Sequence, residues 1–600
     1  MSEKFPEFTL PQMLRENARK HPERVAIRQK EYGIWNPCSW KDYYARACHV
    51  GLGFRALGLS AGGHVAILSE NRIEWVLAQL GANIVDGVAV GVYPTSPANE
   101  VAYVLAHSES EIIVCEDQEQ VDKVLERRDE LPKLRSIIVL ETKGIRDYPP
   151  DQVMSFEALE ALGVEFEASH AGLTDGIVDR QQLSQIGLVI YTSGSTGKPK
   201  GAMLSYKNIR AQAIASVERL NLDASESLLS YLPLCHVAEQ MTTVMVPVYL
   251  GSLVNFGESI RTVQEDLREV APSMFLGVPR IWEKLHSSIH IKLLEAGRIR
   301  RALFDKAYAA CEPFAEKNAA SRTLSERITF AICYWLIFRA LQNFIGLRKT
   351  RIAMTGAAPI SPSIVHFFRT LGVPLVEVYG LTESSGIALG QMLSDRRVGT
   401  VGPGIAHMEA RLGDSNELLI RGDTVFAGYY RNEEATRAAI RDGWLHTGDV
   451  AELTDGHFRI VDRLKDIMIT AGGKNLSPSE IENTVKSSPF IKECIVIGEG
   501  RKFVSALIQI DYDLAGKWAE EKGIAYTNFK NLTENASLRE LIQSEIDSAN
   551  AKLAQVSQIR RFYLLTKELD HDDDEVTATM KVRRANVHKK YETEIESLYR

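Results

Sequence analysis

Short β-branched runs alternate with helical patterns through the first 180 residues of the chain. Runs of this kind occupy His64–Leu68, Val88–Val92 and Glu111–Cys115. Beside them, Trp40–Leu59 repeats apolar residues three or four positions apart, which is typical of an amphipathic helix. Strands that alternate with helices form a parallel sheet whose two faces the helices cover. The sequence therefore predicts an α/β fold.

The same alternation resumes later in the chain and is interrupted once. Further strand-like runs lie at Leu188–Tyr191, Leu228–Leu232, Met274–Val278, Arg351–Thr355 and Val373–Val378. The stretch from Trp282 to Lys349 shows helical patterns and no strand-like run, which indicates an inserted helical layer. Short strand-like runs follow Glu417, and a compact βαβ-like segment follows Asp462. A chain of 600 residues is too long for one hydrophobic core, so several units are expected.

Charge and cysteine content narrow the class of protein. The net charge is −8 and the isoelectric point is about 6.0, so the chain lacks the basic footprint of a nucleic-acid-binding protein. Its seven cysteines are scattered without a CxxC pair, which argues against a disulfide framework or a structural zinc site and fits a reducing cytosol. The first residues contain no apolar signal-peptide core. We expect a cytoplasmic protein.

Two apolar segments raise the question of membrane contact. Met241–Gly257 has no charged residue, but Pro247 and Gly251 interrupt it, and we expect it to be buried core. Thr329–Phe338 is too short to span a bilayer and is flanked by Arg327 and Arg339. We favour a buried helix here. The alternative is an apolar surface with a basic edge that touches a membrane.

The segment LVIYTSGSTGKPKG, residues 188–201, has the composition of a phosphate-binding loop. Small residues let backbone N–H groups approach phosphate oxygens, while hydroxyls add donors and lysines add positive charge. A P-loop is excluded, because Gly194 and Gly197 are too close together and Pro199, not Ser or Thr, follows Lys198. The candidate ligands of phosphate are Thr192, Ser193, Gly194, Ser195, Thr196, Gly197 and Lys198.

YTSGSTGKPKG resembles the signature of the adenylate-forming, AMP-binding enzymes, which include acyl-CoA synthetases, luciferases and carrier-protein adenylation domains. Further motifs follow in the family's order over about 400 residues. The resemblance implies binding of ATP with Mg²⁺, and a large N-terminal domain, 1–462, with the helical insertion at about 282–349. It also implies a small, mobile α+β cap, 463–600. Gly356, Ala357, Ala358 and Pro359, which follow a predicted strand, correspond to the stretch that borders adenine.

The segment YGLTES, residues 379–384, is the second specific motif. An aromatic ring, a glycine, a hydroxyl and a carboxylate at a strand end can stack on a base, bind phosphate and hold magnesium. A helix start capped by Thr and Glu is the structural alternative. By resemblance, Tyr379 and Gly380 lie at the adenine, Thr382 binds the α-phosphate, and Glu383 coordinates Mg²⁺ together with Thr192.

The remaining site residues are implied by the resemblance alone. Asp449 corresponds to the residue that accepts hydrogen bonds from the ribose, and Arg463 lies near ribose and phosphate. Lys465 occupies the hinge about which the cap rotates between two half-reactions. Lys581 corresponds to the C-terminal catalytic lysine, although Met580 stands where many members have Gly.

Two further segments would contact the substrates. Gly472, Gly473 and Lys474 resemble the loop that approaches the CoA tunnel, and His236 borders the acyl site, unless it is a structural histidine. VPRIWEK, residues 278–284, is similar to the long-chain fatty acyl-CoA synthetases. A long alkyl chain needs an apolar tunnel, with Val237, Met241, Met245 and Phe275 as candidate walls.

The expected reaction is the ATP-dependent activation of a carboxylic acid, of the long-chain fatty acid type, to acyl-AMP and then to acyl-CoA. CoA brings its own thiol, so none of the seven cysteines need be catalytic. Steroid, branched and aryl acids remain open. So do a ligase that loads a carrier protein, a non-catalytic lipid-binding relative, peripheral membrane contact and a homodimer.

Overall fold

A computed structural model describes residues 4–146, 148, 152–192, 198–259, 261–318, 320–570, 573, 575–576 and 581–600. Its largest sheet has eight strands. In spatial order they are Gly428–Tyr429, Lys200–Ser205, Ile186–Thr192, Val88–Val92, His64–Leu68, Ser110–Cys115, Ser136–Val139 and Val153–Ser155. The last six strands pair in parallel, which confirms the predicted α/β architecture. Of the first two, Gly428–Tyr429 is antiparallel to Lys200–Ser205, which is itself antiparallel to Ile186–Thr192.

Helices cover both faces of this sheet, and its central strands are buried along their whole length. Close helix packing depends on glycine, since a Cβ at Gly51 would lie 2.4 Å from the carbonyl oxygen of Gly81. The helices of this region are Leu10–Lys20, Trp40–Ala56, Ile73–Ile84, Ala98–Ser108, Gln118–Leu125, Phe156–Ser169, Leu173–Val178 and Tyr206–Leu220.

Three smaller sheets complete the N-terminal part. The first contains Ser227–Ser230, Leu253–Phe256, Val25–Glu31 and Ile34–Ser39. The second contains Met274–Gly277, Ile352–Thr355, Leu375–Leu381 and Gly386–Gly390, with the helices Val263–Val270 and Pro362–Thr370 nearby in sequence. The third contains Met408–Leu412, Glu417–Gly422, Trp444–Thr454, Ile440–Arg441 and His457–Arg463, with the helix Glu433–Ala439.

The bounds of two of these strands matter for the site. The predicted strand Val373–Val378 starts at Leu375 and continues to Leu381, because antiparallel pairing with Gly386–Gly390 extends it. The motif at Tyr379 therefore lies within a strand. Likewise, Asp449 lies in the middle of the long strand Trp444–Thr454.

The stretch in which the helical insertion is predicted consists of helices and their connections. Its helices are Pro279–Glu295, Arg298–Cys311 and Leu324–Cys333, which continues through the π-helical turn Tyr334–Phe338 into Arg339–Phe344. Trp282 is fully buried, and its indole N–H donates to the carbonyl oxygens of Gly277, at 2.9 Å, and Met354, at 3.2 Å. The insertion is thereby fastened to two strands of the second small sheet.

The two apolar segments differ in burial. The segment from Met241 is buried as predicted, in the π-helical turn Gln240–Met245 and the helix Val246–Leu250. The expectation that Thr329–Phe338 is a buried helix is wrong. Ile332, Trp335 and Leu336 are 54%, 66% and 75% exposed, because only the opposite side of this helix faces the core of the insertion.

The C-terminal part has its own core, beginning at Met468. Its sheet pairs Ile491–Ile497 with Val504–Ile510 in antiparallel and the latter with Ile559–Leu564 in parallel. The hairpin Met468–Ile469 and Asn475–Leu476 precedes it. The helices are Pro478–Val485, Tyr512–Glu521, Phe529–Thr533, Ala536–Asn550, Arg584–Lys590 and Glu592–Ser597. The domain boundary at residues 462/463 stays a prediction.

A cluster of charges joins the insertion to this C-terminal part. Arg280 donates to Glu493 at 2.9 Å. The ammonium nitrogen of Lys486 lies 3.4 Å from a carboxylate oxygen of Glu493 and 3.6 Å from one of Glu283. The acidic and lysine side chains of this cluster are less than one fifth exposed, so the attraction is weakly screened.

Reversal of one charge in this cluster should loosen the contact. Glu283→Lys would place a third cation beside Arg280 and Lys486, and breaking a buried ion pair typically costs about 3–5 kcal/mol. We expect a larger radius of gyration by small-angle X-ray scattering. Glu265→Lys, at an exposed position of the helix Val263–Val270, is the control. An unchanged radius in Glu283→Lys would contradict this role.

Candidate active site

An apolar cavity lies between the segment that begins at His236 and the second small sheet. Its lining residues are His236, Val237, Ala238, Met241, Leu276, Val278, Gly356, Ala357, Val378, Gly380, Gly386 and Ile387. Among the predicted wall residues, Met245 and Phe275 are absent from this lining. Neighbouring residues of a strand point to opposite faces, so Phe275 packs on Trp282 while Leu276 lines the cavity.

The strand that carries the YGLTES motif is shaped by a glycine. A Cβ at Gly380 would lie 1.8 Å from the carbonyl oxygen of Gly386, so no larger residue fits this backbone. The pairing register shifts between Tyr379 and Gly380, which brings the two strands together at this point. The cavity wall therefore consists of bare backbone here, against which a flat group can lie.

The predicted adenine stretch contributes only its first half to the cavity. Gly356 and Ala357 line it, whereas Ala358 and Pro359 are exposed in the loop that follows. The backbone turns away at Ala357, whose φ of 68° is in the left-handed region.

Beside the cavity, Tyr379 and Asp449 join two sheets. The phenol of Tyr379 donates to a carboxylate oxygen of Asp449 at 2.5 Å, and the guanidinium of Arg463 lies 3.7 Å from the other oxygen. Burial raises the pKa of Asp449, while Tyr379, Arg463 and Lys581 oppose this shift. The Asp449 carboxylate is thus a buried acceptor with its position fixed by hydrogen bonding.

Thr382 and Glu383 form a single 3₁₀ turn, Thr382–Ser384, at the end of the strand. Thr382 is buried, and a carboxylate oxygen of Glu383 accepts a hydrogen bond from the phenol of Tyr429 at 2.6 Å. Tyr429 belongs to the edge strand of the large sheet and carries no motif of its own, so no sequence pattern points to it.

The side chains near Glu383 suit a magnesium ion that takes most of its ligands from phosphate oxygens and water rather than from the protein. Among the described residues, no group of three or more His, Cys, Asp or Glu side chains could hold a metal ion. Mg²⁺ is usually held by one or two carboxylates, with phosphate oxygens and water completing its shell. A single carboxylate held by Tyr429 fits that pattern.

The phosphate loop is described at its two flanks. Ser193, Gly194, Ser195, Thr196 and Gly197 lie outside the described residues, whereas Thr192 ends a strand of the large sheet. Lys198 lies over the ring of Tyr103, at 5.1 Å from its centroid, and Lys200 lies over Tyr429 at 5.3 Å. Because Tyr429 also bonds to Glu383, Lys200 at the end of the loop lies near the YGLTES motif.

The C-terminal part also reaches this site. Desolvation and then the charge of Arg463 lower the pKa of Lys581, while Asp449 raises it, so the three side chains interact electrostatically. Gly472, Gly473 and Lys474, by contrast, form the exposed tip of a hairpin and do not line the cavity. Lys581 is thus within electrostatic range of Asp449 and Arg463, whereas this hairpin does not line the cavity.

Comparison with known proteins decides the family. The sequence profile of AMP-binding enzymes matches residues 14–430, and that of the AMP-binding enzyme C-terminal domain matches residues 465–600. The chain belongs to the AMP-binding enzyme family.

Relatives within this family confirm the resemblance to long-chain acyl-CoA synthetases. The chain is 30% identical to a long-chain-fatty-acid–CoA ligase of Xenopus laevis, over 99% of this chain and 84% of the relative. It is 31% identical to a long-chain-fatty-acid–CoA ligase of Mycobacterium tuberculosis, over 98% of this chain and 96% of the relative.

Solved structures of AMP-binding enzymes share the fold. The anthranilate CoA ligase AuaEII in complex with anthranoyl-AMP matches with a TM-score of 0.72 at 19% identity, over 99% of this chain and 100% of that one. The A-PCP didomain of a carboxylic acid reductase from Segniliparus rugosus in complex with AMP also has a TM-score of 0.72 at 19% identity, over 100% of this chain and 83% of that one.

His236 has a perturbed titration that can be tested. Its Nδ1 accepts from the backbone N–H of Ala238, and burial, followed by the charge of Lys581, lowers its pKa to about 4. An unfolded histidine titrates near pH 6.5. The unfolded chain therefore binds a proton first, and the contribution of His236 to stability falls as the pH drops from 6.5 to 4.

We expect His236→Gln to flatten the pH dependence of the unfolding free energy by about 1–3 kcal/mol over this interval. Chemical denaturation at a series of pH values measures it. His21→Gln, which replaces an exposed histidine, controls for the loss of one imidazole. Equal slopes for His236→Gln and the unmodified chain would refute the neutral, buried state.

Proposed function

We propose that the chain is an AMP-forming acid–CoA ligase that activates a long-chain fatty acid. The observation that carries the proposal is the shared cavity wall. His236 and Met241, beside the expected acid, face the same space as Gly356, Ala357 and Gly380, beside the expected adenine. The acid carboxylate and the α-phosphate must come within bonding distance, and adjoining pockets achieve this without a protein nucleophile.

The nucleotide would be held from two sides. Tyr379 and the bare backbone at Gly380 would contact adenine, and Asp449 would accept hydrogen bonds from the ribose. The hydrogen bond from Tyr379 to Asp449 fixes both side chains before the ligand arrives. Such preorganisation lowers the entropy that binding must remove.

The triphosphate would lie along the phosphate loop. Thr192 to Lys198 would donate to its oxygens, and Thr382 would donate to the α-phosphate. Glu383 and Thr192 would hold Mg²⁺, whose charge offsets that of the phosphates. The bond from Tyr429 orients the Glu383 carboxylate for this task.

In the first step a carboxylate oxygen of the acid attacks the α-phosphorus, and the bond from phosphorus to the bridging oxygen of pyrophosphate breaks. Two anions must approach each other, so the reaction depends on positive charge at the α-phosphate. Lys581 supplies it, since this side chain interacts electrostatically with Asp449 and Arg463 at the nucleotide end of the cavity. The products are acyl-AMP and pyrophosphate.

In the second step the sulfur of CoA, having lost its proton to solvent, attacks the acyl carbon, and the bond to the AMP oxygen breaks. For this step the hairpin of Gly472, Gly473 and Lys474 would have to replace Lys581 at the cavity. Rotation of the cap about Lys465, which is exposed between the two parts, would exchange them. The charge cluster at Lys486 would open in the process.

Two observations support a long-chain fatty acid as the substrate: the names of similar proteins and the apolar residues that line the cavity. Two relatives at about 30% identity are named long-chain-fatty-acid–CoA ligases. Val237, Met241, Leu276 and Ile387 give the cavity apolar walls, which favour an alkyl chain over a charged or sugar acid.

ATP–pyrophosphate exchange with acids of increasing length tests the proposal. We expect exchange to require the acid and to be fastest with long-chain fatty acids, and AMP release to require CoA. A folded preparation without acid-dependent exchange would exclude the enzyme. Exchange without consumption of CoA would favour a ligase that loads a carrier protein, and faster exchange with steroid or aryl acids would reassign the substrate.

Lys581→Ala should separate the two steps. We expect exchange to fall by at least about 100-fold, since electrostatic stabilisation of an anionic transition state is lost. Thioester formation from supplied acyl-AMP should be nearly unchanged, because Lys581 would have left the cavity. Lys552→Ala, at an exposed position of the same domain, is the control. Equal loss of both steps would rule out the assigned role.

A further inference from the structure

The helical insertion carries apolar side chains on its outer surface. Leu324, Ile328, Ile332, Trp335 and Leu336 follow one another at helical spacing and are 52–75% exposed. We call these five residues the insertion patch. Large apolar side chains in such an array usually mark a contact surface.

The patch cannot be explained as an incomplete core, because the same helix already packs on its other side. Phe330, Tyr334 and Ile337 contact the core of the insertion, and Phe338 is fully buried in it. The helix therefore presents large apolar side chains on two sides, one packed on the protein and one in solvent. A helix of this kind requires a second apolar environment.

The neighbouring helix extends this surface. Arg298–Cys311 packs against Leu324–Cys333 and presents Ile299 and Leu303, which are 78% and 52% exposed. Its opposite side carries the buried Phe304. Two adjacent helices thus share the same arrangement, with a core side and an apolar solvent side.

The charge of this region is opposite to that of the chain. Residues 298–349 contain ten Lys and Arg against four Asp and Glu, a net of +6 in a chain of net −8. Arg298, Arg300 and Arg327 are exposed, and the guanidinium of Arg339 lies 4.7 Å from the ring of Trp335. Cations and a tryptophan at the edge of an apolar surface match the headgroup region of an anionic bilayer.

We propose that the insertion patch docks on the surface of an anionic phospholipid bilayer. Among the described residues no helix is long and apolar enough to cross a membrane, so the contact would be interfacial. The insertion begins at Pro279, immediately after the cavity residue Val278. Resting on the proposed function, docking would bring the cavity to the phase in which long-chain acids dissolve.

Co-sedimentation of the full chain with vesicles tests the proposal. The probes are vesicles of phosphatidylcholine alone and of phosphatidylcholine mixed with phosphatidylglycerol, without acid, ATP or CoA. We expect binding to the mixed vesicles that weakens as salt rises, because exposed charges are screened. Binding no stronger to the mixed vesicles than to neutral ones would overturn the proposal.

Two double variants identify the surface. Trp335→Ser with Leu336→Ser should lower the partition coefficient at least about tenfold, since two large apolar side chains no longer enter the bilayer. Tyr32→Ser with Ile34→Ser removes two large side chains elsewhere, which are 96% and 66% exposed, and should leave vesicle binding unchanged. Equal effects of the two variants would contradict docking through the patch.

A second pair of variants tests the arginines at the edge of the insertion patch. Arg298→Gln with Arg300→Gln should reduce binding to mixed vesicles several-fold and flatten its salt dependence. Arg437→Gln with Arg441→Gln, also exposed, is the matched control. Equal loss of binding in both pairs would show a nonspecific effect of charge and refute the assignment.

Analytical sedimentation without lipid distinguishes membrane docking from the main alternative, which is that the insertion patch joins two copies of the chain. If the chain is a dimer that the Trp335 and Leu336 variant dissociates, while vesicle binding is retained, the patch joins two copies and the proposal fails. Exchange activity with detergent-dispersed acid needs no vesicle. Failure of the ligase function therefore leaves the vesicle result intact, and the reverse holds as well.

Discussion

The hydrogen bond from Tyr379 to Asp449 is the contact on which the rest of the site depends. It joins two sheets that the chain builds separately, and its length is 2.5 Å. The bond places the bare backbone at Gly380 on one side and Arg463 on the other. On the proposed function, a nucleotide bound here would meet groups already held in position, so that charge could be neutralised without reorganisation of the protein during the reaction.

In this site an apolar cavity wall lies close to charged side chains. The cavity wall is apolar, and burial holds His236 neutral and raises the pKa of Asp449. In such surroundings each remaining charge acts more strongly than in water. Lys581 comes from the other end of the chain, so the positive charge arrives with the C-terminal part. In the proposed reaction, this charged group would enter for the first step and leave for the second.

The helical insertion has two distinct outer surfaces, one in contact with the C-terminal part and one exposed to solvent. Pro279–Glu295 meets the C-terminal part through the charges around Lys486, whereas Leu324–Phe338 offers apolar side chains to solvent. Trp282, through its burial and its hydrogen bonds to Gly277 and Met354, attaches the insertion to the second small sheet. The layer thus borders the cavity, the C-terminal part of the chain and the solvent.

The sequence by itself determined the parallel sheet, the helical layer and the family. Runs such as Val88–Val92 are apolar on both faces, and that pattern allows only a covered strand. It could not assign Tyr429 to Glu383, because 46 residues and a different sheet separate them. Nor could it show that Trp335 faces solvent, since apolarity says that a side chain avoids water but not where its partner lies. Tertiary packing alone decides which face of a helix is covered.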